Sequence, residues 1–190
     1  MRVAGVIFNG GKASRLGGID KGAIEIDGVS SFGRVAGAMG AADELFVSVA
    51  SDFPKKAYRG CPVIYDNRKL LINDAGEPGV ILSILSGLDF AVSSGFDGII
   101  TAPADTPFLP EDFSERLVGN APAVAISGSR VHGLHSFLPA RSLEMLHSEI
   151  VGNGLRRVSK LHEVLGSAKI EFTPARMKNL NTAEDLKSLS

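Results

Sequence analysis

The sequence contains a single cysteine, Cys61, so an internal disulfide bond is impossible. Disulfides form and persist mainly in oxidising compartments, and a chain without them fits the reducing cytoplasm. We therefore expect a cytoplasmic protein.

An excess of charge of either sign is also missing. The 20 basic and 21 acidic residues leave a formal net charge of −1. Such a balance creates no general field that would attract nucleic acid or an anionic membrane, so we expect neither as a partner. Any recognition of phosphate must therefore depend on a local cluster of basic side chains.

Long apolar runs and linkers are absent as well. A transmembrane helix needs about 20 consecutive apolar residues, and no stretch of the sequence approaches that length. Strand-like sequence begins directly after Arg2, and we expect a soluble, intracellular protein. Because 190 residues suffice for one core and no Pro/Gly/Ser-rich segment divides them, we expect one domain over residues 1–190.

What the sequence does contain, near its start, is a short apolar run followed by a glycine-rich loop. Residues 3–8 are rich in β-branched side chains, which favours a buried parallel strand. The four glycines within residues 10–21 allow several backbone N–H groups to turn towards one anion. Three cations and a hydroxyl accompany them: Lys12, Ser14, Arg15 and Lys21. The stretch predicts a polyphosphate cradle in preference to a flexible surface loop with scattered basic residues.

Two common phosphate-binding motifs are excluded by inspection. The P-loop requires Gly-x4-Gly-Lys-Ser/Thr, but Val6 stands where the first glycine belongs and Ala13 where the hydroxyl belongs. The dinucleotide-binding pattern Gly-x-Gly-x-x-Gly does not occur in the loop, and the loop does not run straight into an amphipathic helix.

Further along the chain, short apolar runs alternate with segments of helical periodicity. Strands are predicted at residues 45–50, 62–65, 98–102, 124–126, 133–137 and 169–172. Helices are predicted at residues 30–40, 51–58, 79–92, 111–118, 140–151, 155–165 and after Thr182, with a long polar loop at 67–78. This alternation predicts an α/β fold of three layers, in which a mostly parallel sheet carries helices on both faces.

Asp105 is the strongest candidate for a metal ligand. It follows the strand predicted at 98–102 and lies within the proline-rich segment 103–110, which restricts the backbone around it. Ligands of open α/β sheets bind outside the carboxyl ends of the strands. A magnesium–triphosphate complex needs only one or two carboxylates from the protein. The alternative is that Asp105 caps the helix predicted at 111–118, but Asp105 lies too early in the chain to be the natural cap of that helix.

His132 and His135 lie in a predicted hairpin, three residues apart. Such a pair could bind a metal, but no third soft ligand is nearby in the sequence. We therefore expect structural roles or hydrogen bonds to substrate.

Three stretches carry a resemblance to known enzymes. Residues 10–21 resemble the signature Gly-Gly-x-Ser-x-Arg-x-Gly-x-Asp-Lys of the GT-A-like nucleotidyltransferases, with one extra residue before Asp20. Residues 104–110 are similar to the Cys-Asp-Thr-Pro-Phe-Leu-Pro segment of the molybdenum cofactor guanylyltransferases, and residues 179–186 to their Asn-x-Asn-Thr-Pro-Glu-Asp-Leu segment. The combination resembles that family over nearly the whole chain.

The resemblance implies a Rossmann-like fold of the nucleotide-diphospho-sugar transferase (GT-A) type. It also implies Mg²⁺-dependent transfer of GMP from GTP to molybdopterin, with release of pyrophosphate and transient contact with cofactor-synthesis or acceptor proteins. The implied nucleotide-binding residues are Phe8, Asn9, Gly10, Gly11, Ser14, Lys21, Asp66 and Asp105. The catalytic candidates are Arg15, Lys21 and Asp105, and the acceptor-binding candidates are Asn179 and Asn181.

The sequence also departs from that family. Asn9 stands where a small residue is usual, which bears on the choice of base. Gly133 and Ala183 replace prolines on the side expected to face the pterin. The alternatives are therefore a cytidylyltransferase, a sugar-phosphate nucleotidyltransferase with another acceptor, or a nucleotide-binding module without turnover.

Overall fold

The computed structural model describes residues 1–9, 20–50, 57–71 and 79–180. The strands are β1 (Val3–Phe8), β2 (Glu25–Ile26), β3 (Val29–Ser30), β4 (Glu44–Val49), β5 (Ala57–Tyr58), β6 (Cys61–Tyr65), β7 (Gly98–Pro103), β8 (Ala123–Ser127), β9 (Arg130–Pro139) and β10 (Ala168–Glu171). The helices are α1 (Ser31–Gly37), α2 (Val80–Ser93), α3 (Phe113–Leu117), α4 (Leu143–Gly152) and α5 (Val158–Val164). Short 3-10 turns occur at Lys21–Ala23, Arg68–Leu71, Ala140–Ser142 and Pro174–Met177.

A mostly parallel sheet of eight strands, ordered β10-β8-β9-β7-β1-β4-β6-β5, forms the middle layer. The neighbouring strands β6, β4, β1 and β7 are all parallel, whereas β9 runs antiparallel to both β7 and β8. This confirms the predicted α/β architecture. Within the described ranges, no helix is both long and apolar enough to cross a membrane.

The core divides into two clusters because successive side chains of a strand point to opposite faces. All six residues of β1 are buried. Val3 and Ile7 pack in the cluster that also contains side chains of α1 and α3. Ala4, Val6 and Phe8 pack in the other cluster, with side chains of α2, α4 and α5. The alternation along β1 therefore accounts for helices on both faces of the sheet.

The segment before β6 differs from the prediction. Periodicity predicted a helix over residues 51–58, but Ala57–Tyr58 form strand β5, paired antiparallel with β6. Arg59 and Gly60 between the strands have φ angles of 47° and 85°. Two consecutive residues with positive φ suit the tight turn of a hairpin, and they cannot continue a helix. Residues 51–56 lie outside the described part of the chain.

Other elements agree with the prediction in kind and differ in length. The Ser30 hydroxyl caps α1 by accepting a hydrogen bond from Gly33 N at 3.1 Å, but the helix ends at Gly37. Helix α3 is likewise shorter than predicted, at Phe113–Leu117. Part of the predicted polar loop forms the 3-10 turn at Arg68–Leu71, where Leu71 is buried. The helix predicted after Thr182 lies outside the described residues.

Gly98 provides a test of how tightly the central strands pack. A Cβ atom at Gly98 would lie 2.8 Å from the Leu138 carbonyl oxygen and 2.9 Å from the Phe137 ring. Gly98→Ala should therefore lower the free energy of unfolding by about 1–3 kcal/mol through overpacking. Thermal denaturation should detect a melting temperature several degrees lower. Gly37→Ala, where a Cβ meets nothing within 4 Å, is the matched control and should leave the melting temperature unchanged or raised. Equal melting temperatures for wild type and Gly98→Ala would contradict the packing argument.

Candidate active site

The carboxyl ends of β1 and β7 define the site. The two strands are adjacent and parallel, and Phe8 at the end of β1 is paired with Pro103 at the end of β7. Ala104 N extends this pairing by donating a hydrogen bond to Phe8 O at 2.9 Å, and Asn9 N donates to Ser48 O at 3.1 Å. Asn9 and Ala104, the residues that follow the two strands, therefore lie at the same edge of the sheet.

Lys21 and Asp105 form an ion pair at this edge of the sheet. The Lys21 ammonium donates to Asp105 Oδ2, with Nζ and Oδ2 3.0 Å apart. The exposed fractions of the two side chains are only 26% and 18%. Because water screens a partly buried pair less than an exposed one, the two opposite charges attract each other more than they would at the surface. Two predicted catalytic residues, 84 positions apart in the chain, are thus in direct contact.

Asn179 approaches the same carboxylate from the C-terminal part of the chain. Its Nδ2 donates to Asp105 Oδ1 at 3.2 Å, and Leu180 N donates to the Asp105 backbone carbonyl at 2.8 Å. Both carboxylate oxygens therefore accept a hydrogen bond. Asn179, a predicted acceptor-binding residue, lies at the ion pair itself.

The backbone around Asp105 is held by its neighbours. The Ser31 hydroxyl, at the start of α1, donates to Ala104 O at 2.6 Å. The Thr106 hydroxyl donates to Pro103 O at 2.8 Å, and His135 Nε2 lies 3.1 Å from Thr106 Oγ1. These contacts orient the Asp105 carboxylate in addition to the restriction imposed by the prolines.

An irregular pairing of β8 with β9 brings His135 to Thr106. Val124 pairs with Ser136 and the next residue, Ala125, pairs with His132, so residues 133–135 of β9 have no opposite partner on β8. Such a bulge changes the direction in which side chains of the strand point. It places three extra residues beside the end of β7.

The two histidines are neutral core residues. The pKa of His135 is lowered to about 3, mainly by burial and to a smaller extent by the nearby His132. Burial, followed by the charge of Arg130, also lowers the pKa of His132, whose Nε2 lies 2.7 Å from the Ser127 hydroxyl. The rings meet edge to face with centroids 5.7 Å apart. Of the two roles expected from the sequence, a structural role and hydrogen bonding to substrate, this geometry supports the structural one. Across the described ranges, no three His, Cys, Asp or Glu residues gather as a metal-binding group.

Asp20 and Tyr58 belong to the same neighbourhood, although sequence reasoning did not select them. Asp20 Oδ1 caps the 3-10 turn at Lys21–Ala23 by accepting from Gly22 N at 3.0 Å. Asp20 Oδ2 accepts a hydrogen bond from the Tyr58 hydroxyl at 2.5 Å. Asp20 could have been found from its place in the loop signature. Tyr58 could not, because its segment was predicted to be helical.

Asp66 lies at the end of β6, three strand positions from β7 in the sheet. Its backbone N donates to Val49 O at 3.1 Å. Burial raises the pKa of the Asp66 carboxyl, while the Ser83 hydroxyl and the charge of Arg68 oppose that rise. Within the described part of the chain, the buried Asp66 Oδ1 has no hydrogen-bond partner. The structure therefore presents an acceptor at the carboxyl edge of the sheet, away from the Lys21–Asp105 pair.

The remaining predicted residues divide into two groups. The Phe8 side chain is buried in the core on the α2 side of the sheet, so it does not line the site. Asn9 lies beside the turn that carries Lys21, since its Oδ1 is 3.4 Å from the position a Cβ on Gly22 would take. Five predicted residues lie outside the described part of the chain: Gly10, Gly11, Ser14, Arg15 and Asn181.

Comparisons with known proteins identify the family. Residues 5–166 match the family described as the MobA-like NTP transferase domain. A molybdenum cofactor guanylyltransferase from Acidiphilium cryptum is 35% identical over 187 residues, which cover 95% of this chain and 90% of the relative.

Two crystal structures share the fold. The molybdopterin-guanine dinucleotide biosynthesis protein A of Archaeoglobus fulgidus superposes with a TM-score of 0.63 at 19% identity, covering 100% of this chain and 96% of its own. A Mycobacterium tuberculosis protein in complex with manganese gives a TM-score of 0.63 at 14% identity, covering 100% and 98%. The chain belongs to the MobA-like NTP transferase family and is a nucleotidyltransferase.

Proposed function

We propose that this enzyme transfers GMP from GTP to molybdopterin and releases pyrophosphate. The observation that carries the proposal is the Lys21–Asp105 pair at the adjoining ends of β1 and β7. It lies in a chain whose relative at 35% identity is named a molybdenum cofactor guanylyltransferase. The proposed substrates are both small molecules. The cytoplasmic location and the transient protein contacts expected from the sequence stay predictions.

The proposed chemistry needs cations more than it needs a base. The attacking group is a terminal phosphate of the acceptor, which is already an anion at neutral pH. No general base has to remove a proton, but repulsion between two anions must be reduced. Lys21, together with Arg15, neutralises charge that moves onto the leaving pyrophosphate as the bond to the α-phosphorus lengthens.

The residues present fit a magnesium ion held with the triphosphate. Asp105 supplies a carboxylate that already carries a positive neighbour, Lys21, at 3.0 Å. Oxygen ligands suit magnesium, and one carboxylate completed by phosphate and water is a usual set. Bound there, the metal would draw charge from the phosphate oxygens. The part of this chain is to hold the Asp105 carboxylate in place, through Asn179 and the backbone of Leu180.

Asp66 is proposed to bind the nucleotide through its buried Oδ1, which has no donor within the described residues. A buried hydrogen-bond acceptor without a partner is costly, and a hydroxyl or N–H group of the nucleotide would relieve that cost.

Asn179 and Asn181 are proposed to face the acceptor substrate, molybdopterin. Asn9 lies beside the Lys21 turn, where its side chain could affect which base is bound. The choice of base would distinguish a cytidylyltransferase from the proposed enzyme. Measuring pyrophosphate release from each of the four NTPs, with magnesium and molybdopterin, tests the function directly. GTP should give the fastest release of pyrophosphate. If none of the four NTPs releases pyrophosphate, the alternative of a nucleotide-binding module without turnover would be favoured.

Lys21→Ala should reduce turnover by about a hundredfold or more, because one cation opposite the developing charge is lost. The circular dichroism spectrum should stay unchanged, since Lys21 is not part of either core cluster. Lys160→Ala, which removes an exposed lysine paired with Glu163, is the matched control and should keep full activity. A folded, fully active Lys21→Ala enzyme would remove Lys21 from the catalytic residues.

Asp105→Asn keeps the shape of the side chain and removes its charge. Turnover should fall by at least about a hundredfold, and the magnesium concentration for half-maximal activity should rise. Titration of magnesium against pyrophosphate release measures both quantities. If Asp105 only braced the turn, the variant would lose thermal stability while its magnesium midpoint stayed where it is in the wild type.

Asn181→Ala should raise the concentration of acceptor needed for half-maximal turnover without changing GTP affinity. The two measurements are steady-state kinetics with varied acceptor and equilibrium binding of GTP. Asn179→Ala should in addition shift the magnesium midpoint, because Asn179 donates to Asp105. An equal loss of GTP affinity in Asn181→Ala would argue against an acceptor-binding role.

A further inference from the structure

The side chain of Tyr58, in strand β5, contacts the residue before the Lys21 turn. The Tyr58 hydroxyl donates to Asp20 Oδ2 at 2.5 Å, within the range of a short, charge-assisted O–H···O⁻ bond. The other carboxylate oxygen of Asp20 accepts from Gly22 N at 3.0 Å. Asp20 therefore joins β5 to the first turn of the segment that carries Lys21.

The space around Gly22 shows how closely these parts fit. A Cβ atom on Gly22 would lie 2.9 Å from the Tyr58 hydroxyl oxygen and 3.4 Å from the Ala104 Cβ. Gly22 is thus enclosed by Tyr58 on one side and by the segment leading to Asp105 on the other. A shift of the turn would move Lys21, the residue before Gly22, relative to Asp105.

The Tyr58 ring has its own packing, separate from the hydroxyl. It meets the Phe32 ring edge to face, with centroids 5.2 Å apart, in the core cluster beside α1. Burial, followed by the hydrogen bond to Asp20, raises the pKa of Tyr58 above its usual value. The hydroxyl consequently keeps its proton throughout the physiological range and acts as a donor to Asp20.

We propose that Tyr58 is a positioning residue for nucleotidyl transfer: its hydroxyl holds Asp20, Asp20 fixes the turn at Lys21–Ala23, and the turn sets Lys21 against the phosphates. The proposal rests on the role of Lys21 in the proposed function, but it depends on neither the base nor the acceptor. In this role Tyr58 acts through Asp20 and Lys21 and not on the reacting atoms.

The test is a double-mutant cycle between Tyr58 and Lys21. Tyr58→Phe removes the hydroxyl and keeps the ring against Phe32. With Lys21 present, kcat should fall about tenfold, as expected for losing a hydrogen bond to a charged group. In a Lys21→Ala background the same change should alter kcat less than about twofold, because the residue through which Tyr58 acts is gone. Phe32→Leu is the control for ring packing: it should lower the melting temperature and leave kcat within about twofold of the wild type.

A second readout does not require turnover. Inorganic tripolyphosphate with magnesium should bind Tyr58→Phe about tenfold more weakly than wild type by calorimetry, and the difference should vanish in the Lys21→Ala background. An equal fractional effect of Tyr58→Phe in both backgrounds, or no effect in either, would overturn the positioning role. Should the wild type bind tripolyphosphate but release pyrophosphate from none of the four NTPs, the proposed function would fail while the binding cycle still decided the role of Tyr58.

Discussion

The arrangement at the carboxyl edge of the sheet depends on one partly buried ion pair, Lys21 with Asp105. Removing two charges from water is unfavourable, and their mutual attraction compensates for it only when geometry is good and the remaining polar atoms are satisfied. Asn179 and the backbone of Leu180 provide that satisfaction at Asp105. The pair therefore holds together three segments that are far apart in the chain: the end of the first loop, the residues after β7, and the residues after β10.

The histidines near the pair add no charge of their own. His135 contacts Thr106, the residue after Asp105, and the desolvation caused by burial keeps both His135 and the neighbouring His132 neutral near pH 7. A protonated imidazole there would compete with Lys21 for the carboxylate through the low-dielectric core. As a neutral ring, His135 instead supplies a hydrogen bond that orients Thr106, while His132 contacts the Ser127 hydroxyl. The Asp20 carboxylate, which accepts hydrogen bonds from Tyr58 and Gly22, adds a further negative charge next to Lys21.

Much of the fold was predictable because local signals and tertiary structure agree. Burial leaves a visible pattern of apolar residues in several elements. Examples are the apolar run at β1, the periodicity of α2 and the hairpin of β8 and β9. The site was predictable where neighbouring parallel strands end, because residues that follow such strands lie at one edge of the sheet. That rule predicts that Asp105 lies near the segment that carries Lys21, and the two side chains are in contact. Tyr58 was missed because β5 has two residues, too few for periodicity to distinguish a strand from a helix. The bulge of β9 was missed because extra residues in a strand leave no pattern until the partner strand is known.

That bulge has a consequence for how the two halves of the sheet can change over evolutionary time. Residues 133–135 have no partner on β8, yet each is held elsewhere: Gly133 O lies 2.8 Å from His162 Nε2, Leu134 O accepts from Thr101 Oγ1 at 2.9 Å, and His135 contacts Thr106. A residue gained or lost within this stretch would keep the pairing of Ser136–Pro139 with β7 but would displace His135 from Thr106. The length of the bulge is therefore constrained by the segment that carries Asp105, and not by the strand opposite it.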